Sequence, residues 1–365
     1  MRALRIIIAG GGTGGHIFPA VAIGHALKTK SAANQLLFVG AKGKMEMTKV
    51  PLEGFDIIGL DIVGFNRSNL LKNLSLPFKM LKSYYNARTI LDDFKPDVVV
   101  GVGGYASYPM LQAAQSRGIP TVIQEQNSFA GKSNKLLGKQ AKAICVAYEN
   151  MERFFPKEKI VFTGNPVRKI IADNKITKEQ GLEWLGLAKD KTTLLVIGGS
   201  LGAKAVNEAI HAHLQEILSW GVQLLWQTGT PYYAQAKEIE ATYKGQVKVM
   251  EFIKEMDYAY AACDVVVSRA GALSIAELCI VAKPVIFVPF PFAAEDHQTR
   301  NAMALVNKQA ALLVSNDKVM DELLPQLKRL INSPEVQMKM KKNLQTLAIK
   351  DATERIVNKI IEQVQ

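Results

Sequence analysis

The chain has 365 residues, 48% of them hydrophobic and 21% charged. That length predicts two domains, and that balance excludes a disordered polyelectrolyte. The net charge of +12 is lopsided: residues 1–165 carry 21 Lys+Arg against 11 Asp+Glu, whereas residues 166–365 carry 24 against 22.

Three widely spaced cysteines, Cys145, Cys263 and Cys279, form no C-x-x-C pair. This argues against a disulfide framework or a zinc site and fits a reducing compartment. No secretory signal is read, because the basic start meets glycines after only a few apolar residues. The uncharged stretch from Val98 up to Arg117 is broken by glycines and Pro109, so no membrane span is expected.

Arg5–Ala9 reads as a buried strand and Ala20–Lys28 as the body of a helix. Between them GGGTGGH places five glycines, a threonine and His16. A plain strand-to-helix turn needs one or two glycines. The surplus points to a ligand approaching bare backbone at a helix N-terminus, where N–H groups and the dipole favour an anion. Further strands are predicted at Gln35–Val39, Val98–Val102, Thr121–Gln124, Ala143–Ala147 and Ile160–Thr163. The sequence TGNPVRK, residues 163–169, interrupts the pattern and marks a boundary. A second series follows at Thr193–Ile197, Gln223–Gln227, Val247–Glu251, Val265–Ser268, Val285–Val288 and Ala311–Val314. Apolar strands alternating with helices twice over predict an α/β chain of two Rossmann-like, doubly wound parallel-sheet domains. Their expected extents are 1–164 and 165–345, with a C-terminal helical segment, 346–365, packing back on the first. Ligands of such sheets bind beyond the carboxyl ends of the strands, so a cleft between the two domains is the expected site.

Gly10, Gly12 and Gly15 satisfy G-x-G-x-x-G, the dinucleotide fingerprint. That fingerprint also wants an acid at the end of the second strand, and LLFVGAKGK offers none before Glu46. A nicotinamide-dependent oxidoreductase is therefore the minor reading, and a non-catalytic sugar-nucleotide binder is a third. The second domain repeats the device in GGSLG, 198–202, where Ser200 adds a hydroxyl beside a diphosphate cradle. Ser268–Ser274 forms another strand-to-helix turn. Its helix opens with Ala272, Leu273 and Ser274 and carries Glu277, an acid able to take a ribose hydroxyl pair or merely to complement the helix dipole. Asp296, His297, Gln298 and Asn301 form a polar cluster suited to a sugar.

GGGTGGHIFPA, GGYASYP, QEQNSFAGKSN, TGNPVR, GGSLGA, SRAGALSIAE and HQTRNA occur in that order. Together they resemble the peptidoglycan glycosyltransferases of the MurG type over essentially the whole chain. The resemblance implies a GT-B fold and inverting transfer of N-acetylglucosamine from UDP-GlcNAc to the muramyl 4-hydroxyl of a polyprenyl diphosphate acceptor, lipid I. A related transferase with another glycolipid acceptor is the alternative. By matching position His16 is the implied base, a role that the ordinary near-neutral pKa of an imidazole suits. Thr13, Gly14, Gly15 and Tyr105 are placed on the acceptor diphosphate side. Asn127, Arg168, Ser200, Ala272, Leu273, Ser274, Glu277 and Gln298 are implied donor contacts: Asn127 and Gln298 to the sugar, Arg168 and Ser200 to the diphosphate, Glu277 to the ribose. Backbone at Phe252 and Ile253 is where such enzymes read uracil. Leu201 and Tyr108 depart from the usual pattern; Leu201 is expected to offer backbone only, and Tyr108 to narrow the acceptor channel.

No D-x-D triplet is present, and no cofactor or metal is expected. Residues 62–91 hold no acid but carry Arg67, Lys72, Lys79, Lys82 and Arg88 among leucines and aromatics. They predict contact with an anionic membrane surface, in competition with a core-packing helix that has a solvated basic face. That contact would place the enzyme peripherally on the cytoplasmic face of the membrane. No nucleic-acid-binding motif occurs.

Overall fold

Runs such as IIIA, VVVG and AICV are apolar at every position, so they form strands only where both faces of a sheet are covered. The computed structural model, which describes residues 2–62, 76–199 and 201–364, contains two such sheets. They lie in two units, Met1–Val167 with Asp351–Gln365 and Arg168–Lys350.

The first sheet comprises β1 (Arg5–Ala9), β2 (Gln35–Ala41), β3 (Ile57–Leu60), β4 (Val98–Gly101), β5 (Thr121–Glu125), β6 (Ala143–Val146) and β7 (Ile160–Phe162). It is wholly parallel in the order β3-β2-β1-β4-β5-β6-β7. The second comprises β8 (Thr192–Ile197), β9 (Val222–Gln227), β10 (Val247–Met250), β11 (Val265–Ser268), β12 (Val285–Phe287) and β13 (Leu312–Leu313). It too is parallel, in the order β10-β9-β8-β11-β12-β13. In each, strand order reverses beside the first strand: between β1 and β4, and between β8 and β11. The carboxyl ends of the strands at such a reversal point are where doubly wound sheets bind ligands.

All twelve predicted strands are present, with ends shifted by a residue or two. β3 is an addition. Its sequence IIGL sits at a sheet edge, with Ile58 exposed, and its apolar run is only four residues long between Asp56 and Asp61. It is held by β2 pairing rather than by its own composition.

Alternation along β1 splits the first core. Ile6 and Ile8 pack with Ile17 and Val21 of the helix Gly14–Lys30, while Ile7 and Ala9 face Leu91, Met110 and Leu111. The C-terminal helix Ala352–Glu362 belongs to the former layer through Ile356, Val357, Ile360 and Ile361. Thr353 Oγ1 donates to Val167 O at 3.3 Å, and Lys30 pairs with Glu354 at 3.1 Å. Burial pushes the Cys145 and Cys279 thiols up to about 12 and that of Cys263 to about 11, so all three stay protonated and inert at neutral pH. Among the described residues no helix is long and apolar enough to cross a membrane.

Trp184, Trp220 and Trp226 all lie in the second unit, so tryptophan fluorescence reports that unit alone. Ile360→Ala should cost the first unit roughly 2–4 kcal/mol. In urea its circular-dichroism transition should begin earlier while the fluorescence midpoint stays put; a fluorescence midpoint that moves equally would show that the helix stabilises both units.

Candidate active site

At the reversal point of the first sheet two loops meet backbone to backbone. Gly11 N donates to Gly103 O at 3.2 Å, and a Cβ on Gly104, at φ +89°, would overlap the backbone of Gly11. Glu46 fastens this junction from below, although sequence reading registered it only as the first acid past the second strand. Its buried carboxylate accepts from Gly12 N at 2.8 Å and Ala41 N at 2.9 Å. The signal was there in Gly11 and Gly40, whose Cβ atoms would both collide with the Glu46 side chain. The first acid past the second strand is thus turned onto the loop's own backbone.

The helix Gly14–Lys30 then begins with no side-chain cap and no acid in its first turn, an arrangement that favours an anion. His16 Nδ1 lies 3.1 Å from Gly11 O. A carbonyl only accepts, so this contact puts the proton on Nδ1 and makes Nε2 the basic nitrogen. Thr13 Oγ1 is 3.4 Å from the same Nδ1. The ring edge rests against Gly103, where a Cβ would come within 2.9 Å of Nε2. Thr13, Gly14, Gly15, His16 and the half-exposed Tyr105 therefore share one end of this sheet. Tyr108, read from sequence as narrowing a channel, instead packs against the core behind the sheet.

Asn127 follows β5 at the same end, on a loop organised by Glu125. That buried carboxylate accepts from Asn127 N (3.1 Å), Asn127 Nδ2 (3.3 Å), Gly131 N (3.1 Å) and Asn134 Nδ2 (2.8 Å). Burial raises its pKa, and the four donors pull the other way. Gln126 Nε2 bridges to Val102 O at 2.8 Å, tying this loop to the end of β4.

In the second unit Gly202 and Gly229 pack as closely as Gly11 and Gly104 do. Here the anchor is neutral: Gln227 accepts from Gly199 N at 3.0 Å and donates to Gly199 O at 3.0 Å and Glu251 O at 2.8 Å. Ser200 lies outside the described residues, as do residues 63–75 of the basic-apolar segment. Leu201 is largely exposed. The helix Ala272–Val281 starts at Gly271 without a side-chain cap, with Ala272, Leu273 and Ser274 in its first turn and Glu277 one turn on. Glu277 is buried and faces protein: its Oε1 accepts from Arg168 Nε at 3.1 Å and Nη2 at 2.9 Å, and Oε2 accepts from Tyr260 OH at 3.1 Å. Two residues expected to contact different parts of a nucleotide are thus paired with each other. Ile253 is buried after β10 beside the exposed Phe252, and Gln298 Oε1 accepts from Phe290 N at 2.9 Å after β12.

Arg269, which sequence reading passed over, bolts three loops together. Its Nη1 donates to Val288 O and Pro289 O, both at 3.0 Å, and to Asn316 Oδ1 at 2.8 Å. Burial lowers its pKa to about 10, which still leaves it charged at neutral pH. Glu295 and Asp296, before the helix His297–Val306, both adopt left-handed backbone, a strain typical of ligand sites. Among the described residues no group of three or more His, Cys, Asp or Glu side chains could hold a metal ion.

Comparison with known proteins agrees with this layout. Residues 6–146 match the glycosyltransferase family 28 N-terminal domain and residues 193–356 its C-terminal domain. A relative from Cytophaga hutchinsonii, named UDP-N-acetylglucosamine--N-acetylmuramyl-(pentapeptide) pyrophosphoryl-undecaprenol N-acetylglucosamine transferase, is 53% identical over 98% of this chain and 96% of its own. The chain belongs to glycosyltransferase family 28. A like-named relative from Parabacteroides distasonis is 48% identical over 99% of both chains. The crystal structure of Acinetobacter baumannii MurG superposes with a TM-score of 0.80 at 31% identity, covering 98% of this chain and 99% of that one. The two Rossmann-like units are those of a GT-B glycosyltransferase.

For a family 28 glycosyltransferase, two glycines of the first junction separate packing from ligand approach. Gly104→Ala should lose roughly 2–4 kcal/mol, because its Cβ strikes backbone and its φ is positive. Gly15→Ala meets only Thr13 Oγ1, at 3.6 Å, in a helical first turn, so its melting temperature should equal or exceed the parent's. Loss of transfer by that stable variant is the expected result; full activity would show that nothing approaches the backbone there.

Proposed function

We propose that the chain transfers N-acetylglucosamine from UDP-GlcNAc, with inversion, to the 4-hydroxyl of MurNAc-pentapeptide on undecaprenyl diphosphate, converting lipid I to lipid II in peptidoglycan synthesis. The observation that carries this reading is the imidazole held by a main-chain carbonyl at an uncapped helix N-terminus, in a chain matched almost end to end by transferases of that name. His16 Nε2 takes the proton of the acceptor hydroxyl as its oxygen bonds to the anomeric carbon. The bond from that carbon to the donor diphosphate breaks on the opposite side, and UDP departs with the electron pair. Arg168, Ser200 and the helix start at Ala272–Ser274 stabilise the leaving charge. Asn127 and Gln298 hold the sugar, Glu277 and the backbone near Ile253 the nucleoside, and Thr13, Gly14, Gly15 and Tyr105 the acceptor diphosphate. The first unit is the acceptor domain and the second the donor domain; the transfer uses no metal.

Lipid I stays in the bilayer, so we assign the basic-apolar segment 62–91 to docking on the anionic cytoplasmic face of the cell membrane. Its described part supports this. On the helix Leu76–Phe94 the side chains of Phe78, Leu81 and Tyr85 are 77%, 56% and 57% exposed. Spaced by three and four residues, they form one stripe, flanked by Lys79, Lys82 and Arg88. Lys82 also reaches Asp61 at 3.6 Å.

A radiolabelled transfer assay with a lipid I analogue tests the reaction. His16→Ala should lower kcat about 10²- to 10⁴-fold while UDP affinity stays within about twofold; unchanged turnover would remove the base from the mechanism. Full transfer after rigorous chelation is expected, and complete loss restored by one divalent metal would refute the metal-free reading. In vesicle flotation, Lys79→Glu with Lys82→Glu should abolish association with anionic liposomes; undiminished flotation would discard the docking surface.

A further inference from the structure

Arg168 is partly exposed, with 39% of its side chain accessible, yet one edge of its guanidinium is fully committed. Nε and Nη2 both donate to a single oxygen, Glu277 Oε1. The third nitrogen, Nη1, takes no part in that pair. A long flexible cation anchored along one edge has already lost most of its rotamer freedom, so its other edge meets a ligand without that cost. The anchor must be stiff for this to work. Glu277 is stiff because its second oxygen accepts from Tyr260 OH at 3.1 Å, and because it sits on a helix in the core. Tyr260 is itself buried, on the helix Met256–Ala262. Burial and then the Glu277 charge push its hydroxyl well above the usual tyrosine range, so it remains a donor at every working pH.

We propose that Tyr260 is a positioning residue of the donor site, which acts through Glu277 to preset the Arg168 guanidinium for the nucleotide diphosphate. This rests on the assignment of Arg168 to the donor diphosphate made above. It goes further in giving Glu277 a task toward Arg168, whatever it does for the ribose, and in giving Tyr260 any task at all. Tyr260 touches no substrate. Its influence passes along hydroxyl, carboxylate and guanidinium to the phosphates, so it weighs more on a ligand that carries them than on one that does not.

That difference makes the proposal testable by calorimetry or competition with two probes, UDP and uridine. Tyr260→Phe keeps the ring and removes the hydroxyl. It should weaken UDP about tenfold, the scale of a hydrogen bond to a charged group, and leave uridine within about twofold. In an Arg168→Ala background the same change should have no further effect on UDP. Glu277→Gln, which keeps the shape and removes the charge, should weaken UDP more than uridine, because its ribose contact is common to both probes while the Arg168 contact is felt by UDP alone; it serves as the test should Tyr260→Phe fold poorly. Equal weakening of UDP and uridine would mean a general structural role and overturn the proposal. So would unaltered UDP binding, or a full additional loss in the Arg168→Ala background. If the parent protein bound no UDP, the donor-site assignment itself would fall, and this proposal with it.

Discussion

Each unit depends on one contact that side chains would forbid, two loops meeting through bare backbone: after β1 and β4 in the first, where the strand order reverses, and after β8 and β9 in the second. Gly11 against Gly104, and Gly202 against Gly229, leave no room for a Cβ. The approach fixes where the next helix begins, and so where its unpaired N–H groups point. It also creates a difficulty, since tightly packed loops have backbone donors that need partners. The two units answer differently. In the first, the Glu46 carboxylate takes Gly12 N and Ala41 N; in the second, the Gln227 carboxamide takes Gly199 N and returns a bond to Gly199 O.

Three buried carboxylates, Glu46, Glu125 and Glu277, stand near loops that are proposed to receive diphosphates. A bare anion there would repel the ligand. None is bare, because each is turned inward onto donors: backbone N–H for Glu46, four N–H groups for Glu125, a guanidinium and a phenol for Glu277. Burying a carboxylate costs several kcal/mol unless it is fully bonded, so such groups persist only where they fix geometry that matters. What they fix here is the glycine loop under His16, the loop of Asn127 and the guanidinium of Arg168. Their charges are met by these protein donors, and through them they orient the groups proposed to face the ligand.

The strands were legible because two-sided burial writes itself as unbroken apolar runs, and the glycine loops because their composition is extreme. β3 was not, because an edge strand with one exposed isoleucine and a glycine has no such signature. Of the proposed site, the sequence marks the residues whose type follows chemistry: His16 at a helix start, glycines in the turns, Arg168 at the boundary. It does not mark the residues that support them. Glu46, Gln227, Tyr260 and Arg269 act through partners that lie 5 to 47 positions away in sequence, and neither spacing nor composition announces those pairs. The Arg168–Glu277 ion pair spans 109 positions, so each residue alone suggested a separate ligand contact.

The lopsided charge acquires a physical role if the acceptor remains in a membrane. Ionic screening limits its reach to about 8 Å at physiological salt, so spread-out charge cannot hold a protein on a bilayer by itself. Three exposed apolar side chains in one stripe, inserted partway, contribute on the order of 5 kcal/mol, a dissociation constant near the millimolar range. Three basic neighbours add roughly 1 kcal/mol each beside an anionic surface, which brings the sum to about 8 kcal/mol and micromolar binding. Either element alone leaves the protein mostly adrift, and a spanning helix would bind it irreversibly. The docking surface proposed above, Phe78, Leu81 and Tyr85 with Lys79, Lys82 and Arg88, would lie in between. That is the strength an enzyme needs if it must return to a lipid acceptor on the bilayer while drawing its water-soluble donor from the surrounding solution.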